Sequence, residues 1–182
     1  MERGRREFYP ATAGHVDAAD WQDGGKVLRP GDLIFVRGSG LPDRLIEYVT
    51  DSPYSHVSGA VGAEKLVEAQ AFMQTKYQNL DFYIGNVDIY TCDILTDEQR
   101  RQIMIYATAQ VGTPYDYWLI AWEAMRFLLN WGWHHVKREK YICSTLWADA
   151  YRAAGVELCP HVKYPVPGDL SRSSLLRKMG SY

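Results

Sequence analysis

The hydrophobic period of this chain changes once, at Thr96, and that change limits the folds open to it. Before Thr96 the apolar residues come in short runs broken by turn residues. RPGDLIFVR at 29–37 is a turn followed by a continuous apolar run that Gly38 closes, the pattern of a strand buried on both faces. His56–Val61 and Lys65–Gln70 read as two strands joined at Gly62, and Val87–Cys92 alternates as a further strand. Leu41–Thr50 places Leu45, Ile46 and Val49 on one face of a short helix.

Beyond Thr96 the spacing is helical. Thr96 and Gln99 have capping-box spacing, and Ile103, Tyr106, Ala107 and Val111 recur on one helical face until Gly112 and Pro114. Asp116–Leu129 is a second helical pattern, and Cys143–Ala154 a third, with Gly155 at the C-cap. Strands first and helices later predict an α+β domain, an antiparallel sheet packed against helices. Residues 1–28 read as an N-terminal arm, and 29–182 as one domain.

Charge and composition narrow the function. Twenty basic residues stand against twenty-two acidic ones, and no basic stripe suited to a nucleic-acid backbone is present. The start, MERGRREFYP, has no apolar run behind it, so no signal peptide is expected. The most apolar stretch, Trp118–Trp133, carries Glu123 and Arg126 in its middle and is too short to span a bilayer comfortably. Three cysteines form no disulfide framework, which makes the cytoplasm the default compartment.

Chemistry is expected at Cys143, in YICSTLWADAYRAAG. It lies where an extended segment becomes a helix, and the unpaired N–H groups and dipole there favour a thiolate and a developing oxyanion. A buried thiol would otherwise serve only as a small apolar side chain. His56 opens a strand directly after a turn, where an imidazole at the rim can act as a base near neutral pH. Glu68 interrupts an apolar strand and needs a partner there. A hairpin centred on Gly62 would put His56 and Glu68 on facing positions, and the carboxylate would then fix the imidazole as the third member of a triad. Gln70, on the same face, is the alternative orienting residue.

PGDLIF, SHVSGAVG and LVEA together resemble the second half of NlpC-type papain-like cysteine peptidases. In those enzymes the nucleophile precedes these strands, whereas here YICSTLWADAYRAAG follows them. That order resembles the circularly permuted YiiX- and YycO-like hydrolases, down to PGDLSRS at 167–173, and the likeness spans about residues 29–173. It implies Cys143 as nucleophile, His56 as base and Glu68 in the polar third position. GTPY at 112–115 resembles the family's GxPY segment, which makes Tyr115 a candidate substrate contact, with Tyr54 and Trp118 beside it. Ile142 and Thr145 depart from the common D-C-S-G form around the cysteine.

The implied activity is hydrolysis of amide bonds in peptides or amino-acid conjugates, cell-wall-derived ones included, through a thiol acyl-enzyme and without a cofactor. Two rivals stand beside it. Trp118, Trp122, Trp131 and Trp133 would suit a lipid acyl chain if they do not simply face the core. Lecithin–retinol acyltransferase-like enzymes also run histidine before cysteine, although their N-C-E-H-F motif is missing. The other rival is a binding module that keeps the scaffold and leaves the thiol unused. Lys137, Arg138 and Lys140 form either a solvated turn or an anion contact. Cys159, His161, His134 and His135 lack the paired spacing of a structural metal site, so no metal is expected.

Overall fold

A computed structural model describes residues 28–38, 52–69, 74–113 and 142–182. The expected helices at 41–50 and 116–129 lie outside these residues, as do Gln70, Tyr115, Trp118 and the basic cluster at 137–140. The N-terminal arm, too, falls almost wholly outside them.

Six antiparallel strands form one sheet: β1 (Leu33–Val36), β2 (His56–Ala60), β3 (Lys65–Glu68), β4 (Lys76–Asn79), β5 (Val87–Thr91) and β6 (Arg177–Ser181). Their order across the sheet is β4-β3-β2-β1-β5-β6. Among the described residues three helices follow the first five strands in sequence: α1 (Asp97–Ala109), α2 (Cys143–Ala153) and the short α3 (Pro167–Ser171). The fold is thus α+β, strands first and helices later. Among the described residues no helix is long and apolar enough to cross a membrane.

The apolar run of β1 lies at the centre because both faces of the sheet are covered there. Leu33 and Phe35 pack with Ile103 and Ala107 of α1 and with Leu146, Trp147 and Tyr151 of α2. Ile34 and Val36 enter a second core with Ala60, Leu66, Leu80, Tyr83, Ile89 and Tyr182. A strand covered on both sides has no polar face to alternate with, hence LIFV.

The PGD turn before β1 is fixed by a buried polar knot. Gly31 takes φ +90°, a conformation glycine adopts without a Cβ clash. Its carbonyl accepts the Tyr151 hydroxyl of α2 at 2.5 Å. Asp32 is fully buried and pairs with Arg100 of α1 at 3.0 Å. The same guanidinium donates to the carbonyls of Pro30 and Cys92 at 2.9 Å each. Thr91 Oγ1 and the Arg29 amide also donate to the Asp32 carboxylate, at 2.6 and 2.9 Å. The start of β1 is therefore bolted to α1 and to the end of β5.

Helix ends follow local chemistry. Thr96 and Gln99 make the expected reciprocal capping box of α1. Gly155, with φ +78°, follows α2 and lets the chain turn away in the left-handed region. The outer strands β4 and β6 and the short α3 were not expected from the sequence pattern. β4 reads KYQN and β6 reads RKMGS, neither with a continuous buried face.

Candidate active site

Helix α2 is set against β2 by one close contact. A Cβ on Gly59 would lie 2.4 Å from ring atoms of Trp147, so only glycine lets this tryptophan seat against the strand. Trp147 is one helical turn beyond Cys143, and Gly59 is three residues beyond His56. The contact brings the N-terminus of α2 to the start of β2.

Cys143 is the first residue of α2 and is 7% exposed; His56 is the first residue of β2 and is 6% exposed. Ile142, the N-cap, carries no side-chain acceptor; the Thr145 hydroxyl accepts the Ile142 amide at 3.2 Å, and among the described residues no side chain accepts the amides of the first turn. The amides of the first turn are therefore left to whatever lies at Cys143. Cys143 belongs to the helix-side core, while His56 shares strand parity with Ala60 of the opposite core. They meet because His56 stands at the very end of its strand. Among the described residues β3 pairs with β2 at Gly59 and Ala60.

His56 and Cys143 face each other and shift each other in opposite directions. Burial by itself would raise the Cys143 thiol, but the facing imidazole, helped by the amides of Val57 and Ser144, holds it below the ordinary thiol range. Burial would likewise lower His56; the Cys143 sulfur and then Glu68 overcome this and raise it above the ordinary imidazole range. Both directions describe a thiolate–imidazolium pair. The other two thiols behave oppositely. Burial pushes Cys92 up, and burial with Asp169 and Glu157 pushes Cys159 up to about 11. All three cysteines are free.

Glu68 meets His56, but not in the register expected from the sequence. Gly59 pairs with Val67 and Ala60 with Leu66, which centres the hairpin on position 63 rather than on Gly62. One step further puts Ser58, not His56, opposite Glu68. The contact is diagonal, between residues on one face, within reach of long side chains. His56 Nε2 lies 3.2 Å from Glu68 Oε2, so Nδ1 is the ring nitrogen that Glu68 does not engage. Glu68 is fully buried. It also accepts the Tyr83 hydroxyl at Oε2 and faces Lys76 Nζ at 3.3 Å from Oε1. Tyr83 and Lys76 escaped the sequence reading. Lys76 stands directly opposite Glu68 on β4, an element that was not foreseen. Tyr83 sits on a single 3₁₀ turn, Leu80–Tyr83, without a period to flag it.

Tyr54 is 5% exposed, and its hydroxyl donates to Asp88 at 2.6 Å. Asp88 is also paired with Arg37 and, at 2.9 Å, with Lys178. The Tyr54 hydroxyl is thus committed to this polar cluster on β5. Among the described residues no group of three or more His, Cys, Asp or Glu side chains is placed to hold a metal ion.

A cysteine at a helix start, facing a strand-borne histidine and arriving after the first five strands in sequence, defines a permuted papain-like cysteine hydrolase. Residues 27–163 match the family described as permuted papain-like amidase enzyme, YaeF/YiiX, C92 family, and the chain belongs to it. Among solved structures, one titled as metalloprotein yiiX from Escherichia coli O157:H7 shares the fold, with a TM-score of 0.63 and 17% identity. The match covers 85% of this chain and 98% of that one. A search of curated proteins finds no sequence match.

Proposed function

We propose that this hydrolase cleaves amide bonds of peptides or amino-acid conjugates, with Cys143 as nucleophile, His56 as general base and acid, and Glu68 as the orienting carboxylate. The observation that carries this reading is the contrast among the three buried thiols: burial raises two, and only the one facing His56 is lowered.

In the resting pair the thiol proton is on His56, and the Cys143 thiolate attacks the carbonyl carbon. The carbonyl oxygen takes the negative charge beside the uncapped amides of the α2 N-terminus, that of Cys143 first. The imidazolium gives its proton to the departing amine as the C–N bond breaks, leaving a thioester on Cys143. His56 then takes a proton from water; the hydroxide displaces the thiolate and releases a carboxylic acid. Glu68 keeps Nε2 as a donor, so that Nδ1 carries the proton traffic. Tyr115, Trp118 and Tyr54 are the candidate substrate contacts, Tyr54 with its hydroxyl donating to Asp88.

The test needs no known substrate at first. Iodoacetamide alkylation of each cysteine is followed by mass spectrometry between about pH 4 and about pH 9, in wild type and in His56→Ala, against the ordinary thiol value of about 8.5. Selective modification of Cys143 well below that value, lost in His56→Ala, is expected. A screen of aminoacyl amides against acyl esters follows, with Cys143→Ala as the inactive control. Equal reactivity of the three thiols would overturn the assignment, and turnover of acyl esters alone would favour a lipid acyl substrate.

A further inference from the structure

Glu68 presents its two carboxylate oxygens to different surroundings. Oε2 lies 3.2 Å from His56 Nε2 and also accepts the Tyr83 hydroxyl, whereas Oε1 lies 3.3 Å from Lys76 Nζ. The carboxylate is fully buried, and its terminal torsion is a soft, roughly two-fold one. With a cation on one side and an imidazole on the other, rotation about that torsion would trade the contact with His56 for a closer one with Lys76. A donor fixed on Oε2 opposes the rotation.

Tyr83 is built to be that donor. It is 1% exposed and lies in the sheet-side core with Leu80, Ile34 and Leu66. Its turn is capped by Asn79, whose side chain accepts the Asp81 amide at 3.3 Å, and its carbonyl accepts the Asn86 amide at 3.3 Å. Phe82 packs edge-on against its ring at 5.1 Å between centroids. Its ring lies 6.3 Å from the His56 imidazole, centroid to centroid, and tilted by 33°. A phenylalanine would fill the same apolar space; what tyrosine adds is the hydroxyl.

We infer that Tyr83 is a positioning residue, whose hydroxyl locks the Glu68 carboxylate in the orientation that serves His56. This rests on the triad reading above. Tyr83 acts through Glu68 and touches neither the nucleophile nor the bond to be cleaved. Among the described residues, the ionisable groups that face His56 and Glu68 are Cys143 from α2, Lys76 from β4 and Tyr83 itself.

The experiment is a double-mutant cycle on the full chain, comparing wild type, Tyr83→Phe, Glu68→Gln and the double variant. The readout is the rate of Cys143 alkylation by iodoacetamide against pH, with Cys92 and Cys159 as internal references and circular dichroism to confirm the fold. In Tyr83→Phe the onset of Cys143 reactivity should move up by about one pH unit, a loss of about tenfold near pH 6, the scale of one hydrogen bond to a charged group. In the Glu68→Gln background the same change should add nothing. An unshifted profile in Tyr83→Phe, or an equal further loss in the double variant, overturns the positioning role and leaves the triad standing. A wild-type Cys143 no more reactive than the other two thiols overturns the triad and this inference with it.

Discussion

Trp147 occupies the space that any side chain at position 59 would need. The ring atoms lie 2.4 Å from where a Cβ on Gly59 would stand, and the same helix turn carries Cys143 to His56. Gly59→Ala must therefore push α2 outward or tilt the tryptophan. The expected cost is about 1–3 kcal/mol, the usual range for overpacking a core, together with a fall in Cys143 reactivity larger than global destabilisation explains. Urea denaturation and alkylation near pH 6 measure the two effects. A stable variant with an unchanged thiol would mean that some other contact seats the helix.

The upper pH limit of the thiolate–imidazolium pair should depend on Glu68. His56 titrates above its ordinary value in the folded protein, because the Cys143 sulfur first and Glu68 second outweigh the lowering effect of burial. Folding thus favours the protonated ring. Its contribution to stability is complete below the unfolded value of about 6.5 and fades as pH rises through the folded one. Glu68→Gln keeps the shape and removes one anionic partner, so the folded value should fall by about one unit or more. NMR titration of the His56 ring checks this. An unmoved titration would show that the carboxylate orients the ring without charging it.

Arg100 and Asp32 predict a stability effect with little effect on chemistry. Arg100→Leu would strand a fully buried carboxylate at the start of β1, at a cost of about 3–5 kcal/mol. Replacing Asp32 by an apolar residue as well should restore part of that loss. Chemical denaturation of the single and double variants tests it. The pair lies at the opposite end of β1 from Val36, which faces His56, so thiol reactivity in folded protein should hold. A single variant as stable as wild type would contradict the assignment of this knot as the anchor of β1.

Asp88 should make stability depend on acid. Burial alone would raise its carboxyl; Ser181, Tyr54, Lys178 and Arg37 reverse that and hold it below the ordinary value. A carboxylate depressed by folding stabilises the protein above its unfolded value of about 3.9, and that contribution is lost as pH falls through the folded value. Asp88→Asn should therefore cost about 1–3 kcal/mol at neutral pH and less near pH 3. Thermal unfolding at both pH values decides it, and an equal cost at both would mean that packing, not charge, is what the variant loses.

How far sequence reading reached is clearest at the proposed triad. Cys143 stood out because a helix start follows an extended segment, and His56 because a strand follows a turn; both signals are local. Glu68 stood out as a carboxylate in an apolar strand, a conflict that demands a partner. The expected pairing is off by two residues, since hairpin symmetry about Gly62 places Glu68 opposite His56 and the turn centred one residue later places it opposite Ser58. The contact survives because diagonal neighbours on one face still touch.

Other features had no local signal. β4 and β6 are polar strands that exist because β3 and β5 offer them an edge, and their pairing is fixed by backbone hydrogen bonds rather than by side-chain period. Lys76 and Tyr83 are anonymous in the sequence for the same reason. They matter only because the sheet and one 3₁₀ turn bring them to Glu68 across 8 and 15 residues of chain.

By itself, then, the sequence determined the class of fold, through the single change of hydrophobic period, and the order of histidine before cysteine. Tertiary structure alone decided that the Cys143 thiol is lowered while Cys92 and Cys159 are raised. All three are buried, and burial raises every thiol. What separates them is the imidazole that faces Cys143, and that juxtaposition is set by the packing of α2 on β2, which no stretch of sequence holds.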